Sequence, residues 1–218
     1  GVWSAAAATD GEMVRRFPGS AAGFEGQAEL LYNRLKDRAE ALAVLDAGIA
    51  LSTDPKAQMY YQRSVYRAGE GRLAEAEGDA RQAIGLQPGN GWYLLWLGDL
   101  FLRQKRYEEA LDQYELAGVR ASDRSFKWRA EQKRGAVYAA LKMWPQAVEE
   151  FRLAVAESER QGAKPAVVAG NWVQLGAQMA AAGQRVEAAA AYRSALELDP
   201  GNAEAARRLE ELRGLTHQ

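Results

Sequence analysis

The sequence predicts an all-α fold, an α-solenoid of tandem antiparallel helix hairpins, from three observations. The first is a pattern of small and large apolar residues that recurs about every 34 residues. The second is the i, i+3, i+7 spacing of apolar residues within each copy, which is typical of an amphipathic helix. The third is a Pro-Gly-Asn stop between copies, at Pro88-Gly89-Asn90 and Pro200-Gly201-Asn202. Each copy therefore predicts a pair of helices that ends at a defined stop.

The composition suits such a fold and limits the chemistry. The chain has 218 residues, of which 48% are hydrophobic and 26% are charged, so it can bury a continuous core and stay soluble. Lys plus Arg number 28 and Asp plus Glu number 29, a balance without general attraction to nucleic acid or anionic membranes. There is no cysteine, which excludes disulfides and thiolate ligands. No apolar run reaches the ~18 residues of a membrane span, and the compartment, cytoplasmic or periplasmic, stays open.

Five copies of the repeat follow one another along the chain. The clearest copy has Trp172-x2-Leu175-Gly176-x2-Met179 in its first helix and Ala188-x3-Tyr192-x2-Ala195 in its second. The small residue of the second helix recurs in every copy, as Ala41, Ala76, Ala110, Ala147 and Ala188. We expect one domain over residues 1–218, with repeats at 21–56, 57–90, 91–124, 125–163 and 164–202.

A further helical segment is predicted at each end of the chain. Residues 1–20 have the pattern of a second helix that ends at Pro18-Gly19, which predicts a partial N-terminal repeat. Residues 203–218 predict a capping helix and tail, because a helix with one apolar side closes the last apolar face of a repeat array. The chain starts without Met, and we expect it to be a piece of a longer protein.

The copies depart from uniformity in two ways. The last two steps between the recurring alanines are the longest, which predicts insertions near residues 119–124 and 158–165. Charged residues also stand at positions that are usually apolar, namely Arg63, Arg67, Glu131 and Arg134. We expect the copy at 128–161 to be tilted, or its first helix to be shielded by another molecule.

Together these residues resemble the tetratricopeptide repeat (TPR) family over about residues 21–202, most of the chain. Small residues such as Gly176 and Ala188 let two helices approach closely, and large ones such as Trp172 and Tyr192 fill the space between hairpins. The resemblance implies a right-handed superhelix of about five repeats whose concave face binds peptides or partner domains. It also implies that the chain is not an enzyme by itself.

The resemblance also indicates which residues line the concave face. Carried over from the first-helix positions that point away from the second helix, the set is Gln58, Tyr61, Val65, Trp92, Leu95, Trp96, Asp99, Arg103, Arg129, Gln132, Lys133, Ala136, Val173, Ala177 and Ala180. We expect partner binding between Tyr61 and Lys133, centred on Tyr61, Trp92 and Leu95, because aromatic and Arg side chains are frequent hot spots.

Two alternatives concern this surface. Trp92 and Trp96, one helical turn apart, could simply pack on the adjacent repeat. Some family members grip a C-terminal carboxylate with Lys and Asn, but here the matching positions hold Tyr61, Val65, Leu95 and Asp99. A chaperone-tail adaptor is therefore not favoured.

The residue inventory does not favour catalysis. The single histidine is His217, next to the last residue. Adjacent glutamates at 108–109 and 149–150 come at the starts of second helices, where carboxylates stabilise the helix dipole. No phosphate-binding glycine loop or nucleophile motif is present. We expect no catalytic residue, no metal site and no cofactor.

One basic segment contains interleaved aromatic residues, a combination that can bind nucleic acid. It consists of Arg120, Arg124, Lys127, Phe126, Trp128, Arg129, Lys133 and Arg134. On a helix these residues spread over several faces, and the chain as a whole is slightly acidic. A solvated face or a site for an acidic partner segment is therefore favoured over nucleic acid.

The sequence predicts a non-catalytic scaffold that binds a protein or peptide in the concave groove. The first alternative is self-association, because an array with an open apolar end is costly to leave in water. The second is that the chain is the TPR arm of a larger bacterial enzyme or membrane assembly, such as a glycosyltransferase or a polysaccharide or pilus export system. No residue here identifies the partner.

Overall fold

A computed structural model describes residues 20–53 and 56–214 of the chain. Within these two ranges it contains 11 α-helices and one short π-helix, and no β-strand. The all-α prediction is confirmed. None of the described helices is both long and apolar enough to cross a membrane. Residues 1–19 of the partial repeat predicted at 1–20, and His217, lie outside the described residues.

Contacts between Cα atoms divide the chain into two compact units, with the division after Gln104. The helices of the first unit are α1 (Ala21–Leu30), the π-helix (Leu31–Leu35), α2 (Arg38–Leu51), α3 (Ala57–Gly69), α4 (Leu73–Leu86) and α5 (Gly91–Arg103). Those of the second unit are α6 (Tyr107–Arg120), α7 (Phe126–Ala140), α8 (Trp144–Arg160), α9 (Pro165–Ala181), α10 (Arg185–Leu198) and α11 (Ala203–Gly214). Within each unit, every helix packs on the next one along the chain.

The turns between paired helices share one backbone feature, a residue with positive φ at a fixed position. A residue with positive φ stands five positions before each recurring alanine, in the order Lys36, Gly71, Lys105, Lys142 and Gly183. This left-handed conformation ends the first helix and redirects the chain into the second. Glycine adopts it without strain, whereas a lysine side chain does so at a cost. The regular turn is the local reason for the repeated hairpins.

The core of the first unit begins between the opening helices. Phe24 and Leu45 are 2% and 0% exposed and belong to one apolar cluster with Met59. A Cβ built on Gly48 would lie 2.7 Å from Cγ of Phe24 and 2.8 Å from Sδ of Met59, so this glycine permits the close approach. The π-helix places Tyr32 parallel to Tyr66, with ring centroids 3.8 Å apart.

Glycines on first helices perform the same task in the second unit. A Cβ on Gly176 would lie 2.7 Å from the ring of Tyr192, and one on Gly135 would lie 2.7 Å from the ring of Phe151. Both rings are almost fully buried. The glycines therefore leave room for an aromatic ring of the paired helix. The sequence had indicated a close approach of the two helices at glycine and alanine, and the structure shows that the glycines contact these rings.

The longest step in the repeat is absorbed by longer helices. Helices α8 and α9, on either side of the predicted insertion at 158–165, each have 17 residues. The corresponding pair α4 and α5 has 14 and 13. The other insertion, at 119–124, ends α6 and forms the connection to α7. The insertions thus lengthen existing elements rather than add a new one.

The irregular repeat of the first unit contains an ionic cluster around a buried carboxylate. Arg63 donates from Nε and Nη2 to the two carboxylate oxygens of Asp79, at 2.9 and 2.6 Å, and from Nη1 to Oδ1 of Asp46 at 2.6 Å. Arg67 Nη1 donates to Oδ2 of Asp79 at 2.7 Å. Asp79 is only 4% exposed. The two arginines at usually apolar positions are therefore neutralised by carboxylates of flanking second helices.

In the irregular repeat of the second unit, basic residues of the first helix also pair with carboxylates of a second helix. Arg134 Nη2 lies 2.7 Å from Oε1 of Glu150, and Lys127 Nζ lies 3.6 Å from Oε2 of Glu157. Glu131 stands between Lys127 and Arg134 on one face of α7. We expected another molecule to shield the charged residues of this helix. At Arg134, α8 of the same hairpin supplies that shielding.

These ion pairs occupy equivalent positions in the two repeats. Arg63 and Asp79 have the same spacing from Ala76 as Arg134 and Glu150 have from Ala147. In the hairpin of α9 and α10 the same two positions hold Leu175 and Ala191, which are both buried. The interior position between paired helices is thus ionic in two repeats and apolar in the last one.

Candidate partner-binding surface

In the first unit, α3 and α5 are first helices of successive repeats, and their aromatic side chains meet. Tyr61 and Tyr93 have ring centroids 5.1 Å apart, and Trp96 lies edge-on to Tyr61 at 6.2 Å. Tyr93 also donates from its hydroxyl to Oε1 of Gln58 at 3.2 Å. We call Tyr61, Tyr93 and Trp96 the aromatic cluster. It brings together two residues that the sequence predicted and one, Tyr93, that it missed.

Trp96 is fixed by a hydrogen bond to a buried serine. Its indole Nε1 donates to Oγ of Ser64 at 2.7 Å, and Ser64 Oγ donates to the carbonyl of Ala76 at 2.6 Å. Ser64 is 0% exposed, so the acceptor of the indole bond is shielded from water. Trp96 therefore packs on the adjacent repeat, which was the alternative to a binding role for this residue. Its ring is half-buried.

Charged groups border the aromatic cluster. The guanidinium carbon of Arg103 lies 5.2 Å from the centroid of the Trp96 ring, a cation–π arrangement. Burial raises the pKa of the Tyr61 phenol, and the negative charge of Asp99 raises it further. Burial likewise raises the pKa of Tyr93. Both phenols are therefore neutral at physiological pH, but the hydroxyl of Tyr93 already donates to Gln58, so Tyr61 is the phenol that can donate to a ligand.

The other predicted residues of the first unit differ in exposure. Trp92 is the second residue of α5 and is 53% exposed, and its backbone N–H donates to Oδ1 of Asn90 at 3.0 Å. Val65 is half-buried. Leu95, by contrast, is 4% exposed and supports the neighbouring side chains without offering much surface of its own.

The predicted residues of the second unit lie on α7. Arg129 packs over the ring of Trp128, 4.2 Å from its centroid, and donates from Nη1 to the carbonyl of Ser125 at 3.0 Å. Burial lowers the pKa of its guanidinium below the usual value. Lys133 is half-buried on the same helix. A continuous basic face is not formed, because Lys127 and Arg134 point to carboxylates of α8.

Gln132 takes part in a buried polar chain. Its Nε2 donates to Oδ1 of Asn171 at 3.2 Å, and Asn171 Nδ2 donates to Oγ of Ser158 at 3.0 Å. Asn171 and Ser158 are 1% and 0% exposed. Gln132 is therefore tied to the next hairpin, which fixes its orientation.

The sequence held a signal for Tyr93. Tyr93 lies three residues before Trp96, so the two side chains share a helix face. Ser64 had no comparable signal. It stands where three other repeats have Gly98, Gly135 and Gly176, and only the structure shows its bond to an indole of the neighbouring repeat.

No protein-family model matches the sequence, and no curated protein sequence matches it at a significant level. Solved structures do match. YrrB, described as a TPR protein with an unusual peptide-binding site, aligns with a TM-score of 0.59 and 19% identity over 93% of this chain and 98% of its own. BtubC from P. vanneervenii aligns with a TM-score of 0.73 and 17% identity over 90% of this chain and 88% of its own.

A larger structure matches as well. The APC/C hetero-tetramer Cut9-Hcn1 aligns with a TM-score of 0.66 and 14% identity over 96% of this chain, which spans only 39% of the matched chain. At these levels of identity the likenesses show the fold. They agree with the tandem hairpins of both units, and the chain therefore has a tetratricopeptide-repeat fold, as the repeated residues predicted.

Proposed function

We propose that this chain is a non-catalytic scaffold that binds a peptide segment of a partner protein on the surface formed by α3 and α5. The TPR fold supports a protein-interaction role in general, and YrrB, which shares it, has a peptide-binding site. The observation that carries the proposal is Trp92, a large aromatic side chain that is 53% exposed beside the aromatic cluster. Binding hot spots are enriched in Trp, Tyr and Arg side chains, and the side chain of Trp92 is accessible in the free protein.

The chemistry of the surface indicates the kind of segment it would bind. Tyr61 and Trp92 offer aromatic area to an apolar side chain, and the neutral hydroxyl of Tyr61 can donate a hydrogen bond. Arg103 is exposed and has no carboxylate partner among the described residues, so it can pair with an acidic residue of the segment. In the second unit, Arg129, Gln132 and Lys133 are the proposed further contact residues.

The test is an affinity capture from a lysate of the source organism with wild type and Trp92→Ala as baits. The matched control is Leu86→Ala, which removes another exposed apolar side chain of the first unit (54% exposed). A protein retained by wild type and by Leu86→Ala, but lost with Trp92→Ala, supports the surface. Equal capture by all three baits rejects it.

The same capture distinguishes self-association, the alternative kept from the sequence. Recovery of untagged bait alone, together with a dimer mass in light scattering, would place self-assembly ahead of a foreign partner. The proposal applies equally to an isolated chain and to one that serves as the interaction arm of a larger enzyme or export assembly.

A further inference from the structure

An open hollow lies between α10 and α11, the last two helices of the second unit. Its volume is about 260 Å³, and its apolar lining comes from Val186, Ala189, Leu209 and Leu212. Three arginines complete the lining, namely Arg185, Arg193 and Arg213. We call these seven residues the end groove. Val186 is 80% exposed, so an apolar surface faces water here.

The hollow arises from small differences between repeats. Ala189 follows Ala188, and at the same position the two preceding second helices have Leu111 and Val148. The shorter alanine side chain leaves the space that a branched side chain would fill. Arg185 likewise stands where the two preceding second helices have Tyr107 and Trp144. In the last hairpin, small and positively charged side chains thus replace the large apolar side chains of the preceding repeats. The result is a hollow bordered by arginine.

The charge of the groove has one sign. No acidic side chain is among its lining residues. Arg185 and Arg193 are exposed, and neither has a carboxylate partner among the described residues, whereas Arg213 lies 2.5 Å from Glu210. Arg185 is also the first residue of α10, where the partial positive charge of the helix N-terminus adds to its own. An anionic ligand group would be attracted to this rim.

From this geometry we infer that the end groove docks an acidic amphipathic helix of a partner protein. One large apolar side chain of that helix occupies the hollow above Ala189, and carboxylates on either side of it pair with Arg185 and Arg193. These arginines are eight residues apart on α10, a rise of about 12 Å. Two glutamates at i and i+7 of a docked helix span about 10.5 Å, which matches that separation.

This inference is independent of the proposed function, because the groove shares no residue with the surface on α3 and α5. A ligand could bind at either one without the other. A negative result in one test therefore leaves the other proposal unaffected.

The test uses a pair of fluorescein-labelled helical peptides of about 15 residues, built on alanine with leucines at i+3 and i+4. In one peptide the flanking positions i and i+7 are Glu, and in the other they are Lys. Fluorescence anisotropy at low salt should show the Glu peptide binding the full chain about tenfold more tightly than the Lys peptide. Added salt should weaken that binding, because exposed charge pairs are screened.

Three variants decide the assignment. Arg185→Glu/Arg193→Glu should reverse the preference, so that the Lys peptide binds about tenfold more tightly. Ala189→Leu should fill the hollow and weaken both peptides while helix content is retained in circular dichroism. Arg120→Glu, an exposed arginine of α6 outside the groove, is the control and should leave the ratio unchanged.

Several results would overturn the inference. Binding of neither peptide at millimolar concentration would do so, as would equal affinity of wild type for both. Unchanged affinity in Ala189→Leu would place the peptide elsewhere. Finally, a dimer of the wild type that Ala189→Leu converts to monomer, without peptide binding, would assign the groove to a second copy of this chain.

Discussion

At the scale of single residues, Glu131 is the most unusual side chain of the second unit. It is 8% exposed, and its Oε2 has no hydrogen-bond partner. Burial raises the pKa of its carboxyl group to about 7, with the charges of Glu157 and Glu150 adding to the shift and those of Lys127 and Arg134 opposing it. The folded chain therefore binds a proton at Glu131 at pH values where the unfolded chain has released it.

This difference predicts a pH-dependent stability. Because the pKa is higher in the folded state, the contribution of Glu131 to the free energy of unfolding falls as pH rises from about 4.5 to 7. Glu131→Gln keeps the shape without the charge and should be more stable than wild type at pH 8 by about 1–2 kcal/mol. At pH 4 the two should be nearly equal. Urea unfolding at both pH values measures this.

The control for Glu131→Gln is Glu115→Gln, an exposed carboxyl of α6, which should change stability little at either pH. A Glu131→Gln variant with the stability of wild type at pH 8 would show that the carboxylate is solvated in the folded chain. A gain of the same size at both pH values would show that packing, not charge, is responsible.

A second residue-scale prediction concerns Asp79, which accepts hydrogen bonds from both Arg63 and Arg67. Asp79→Ala should lower the free energy of unfolding by about 3–5 kcal/mol, because two partly buried guanidinium groups lose their shared carboxylate. Arg63→Leu/Asp79→Ala, which copies the Leu175 and Ala191 pair of the last hairpin, should recover part of that loss. Urea denaturation of both variants measures it, and a double variant no more stable than Asp79→Ala would contradict the equivalence of the two positions.

At the scale of the helix, α9 contains two glycines with opposite roles. A Cβ on Gly176 would lie 2.7 Å from the buried ring of Tyr192, whereas a Cβ on Gly170 would meet nothing within 4 Å. Gly176→Ala should destabilise by about 1–3 kcal/mol, because overpacking outweighs the better helix propensity. Gly170→Ala should stabilise by about 0.5–1 kcal/mol, since only propensity changes.

The two substitutions serve as controls for each other, since they make the same chemical change on the same helix. Thermal unfolding monitored by circular dichroism at 222 nm (the usual helix wavelength) should move the midpoint in opposite directions. A midpoint that rises in both variants would mean that Tyr192 moves aside easily and that Gly176 is not required for the close approach.

At the scale of the whole molecule, the repeats could be read from sequence because each hairpin uses local rules. Recurring alanines, stops after Pro88 and Pro200 and the period of the apolar residues all act within one copy. The ion pairs of Arg63 and Arg134 could not be predicted, because their carboxylates come from another helix and the pairing depends on register. The same holds for Trp96, whose anchor on Ser64 joins two repeats, so the sequence could propose a candidate surface but could not show which rings are fixed.

The division into two compact units leads to a prediction about cooperativity. In a repeat array each copy is stabilised mainly by its neighbours, so a local defect spreads over a limited distance. Asp79→Ala removes the shared carboxylate of an ionic cluster formed by α2, α3 and α4. Native-state hydrogen exchange should therefore show faster exchange of backbone amides in those helices, while amides in α9 and α10 keep the protection of wild type.

The reciprocal variant makes this test symmetrical. Gly176→Ala strains the packing of α9 on α10 and should raise exchange there while α2 and α3 keep their protection. If either variant instead raised exchange uniformly along the chain, the array would unfold as one cooperative unit. The division between the units would then have no energetic counterpart, because a defect in one would be felt equally in the other.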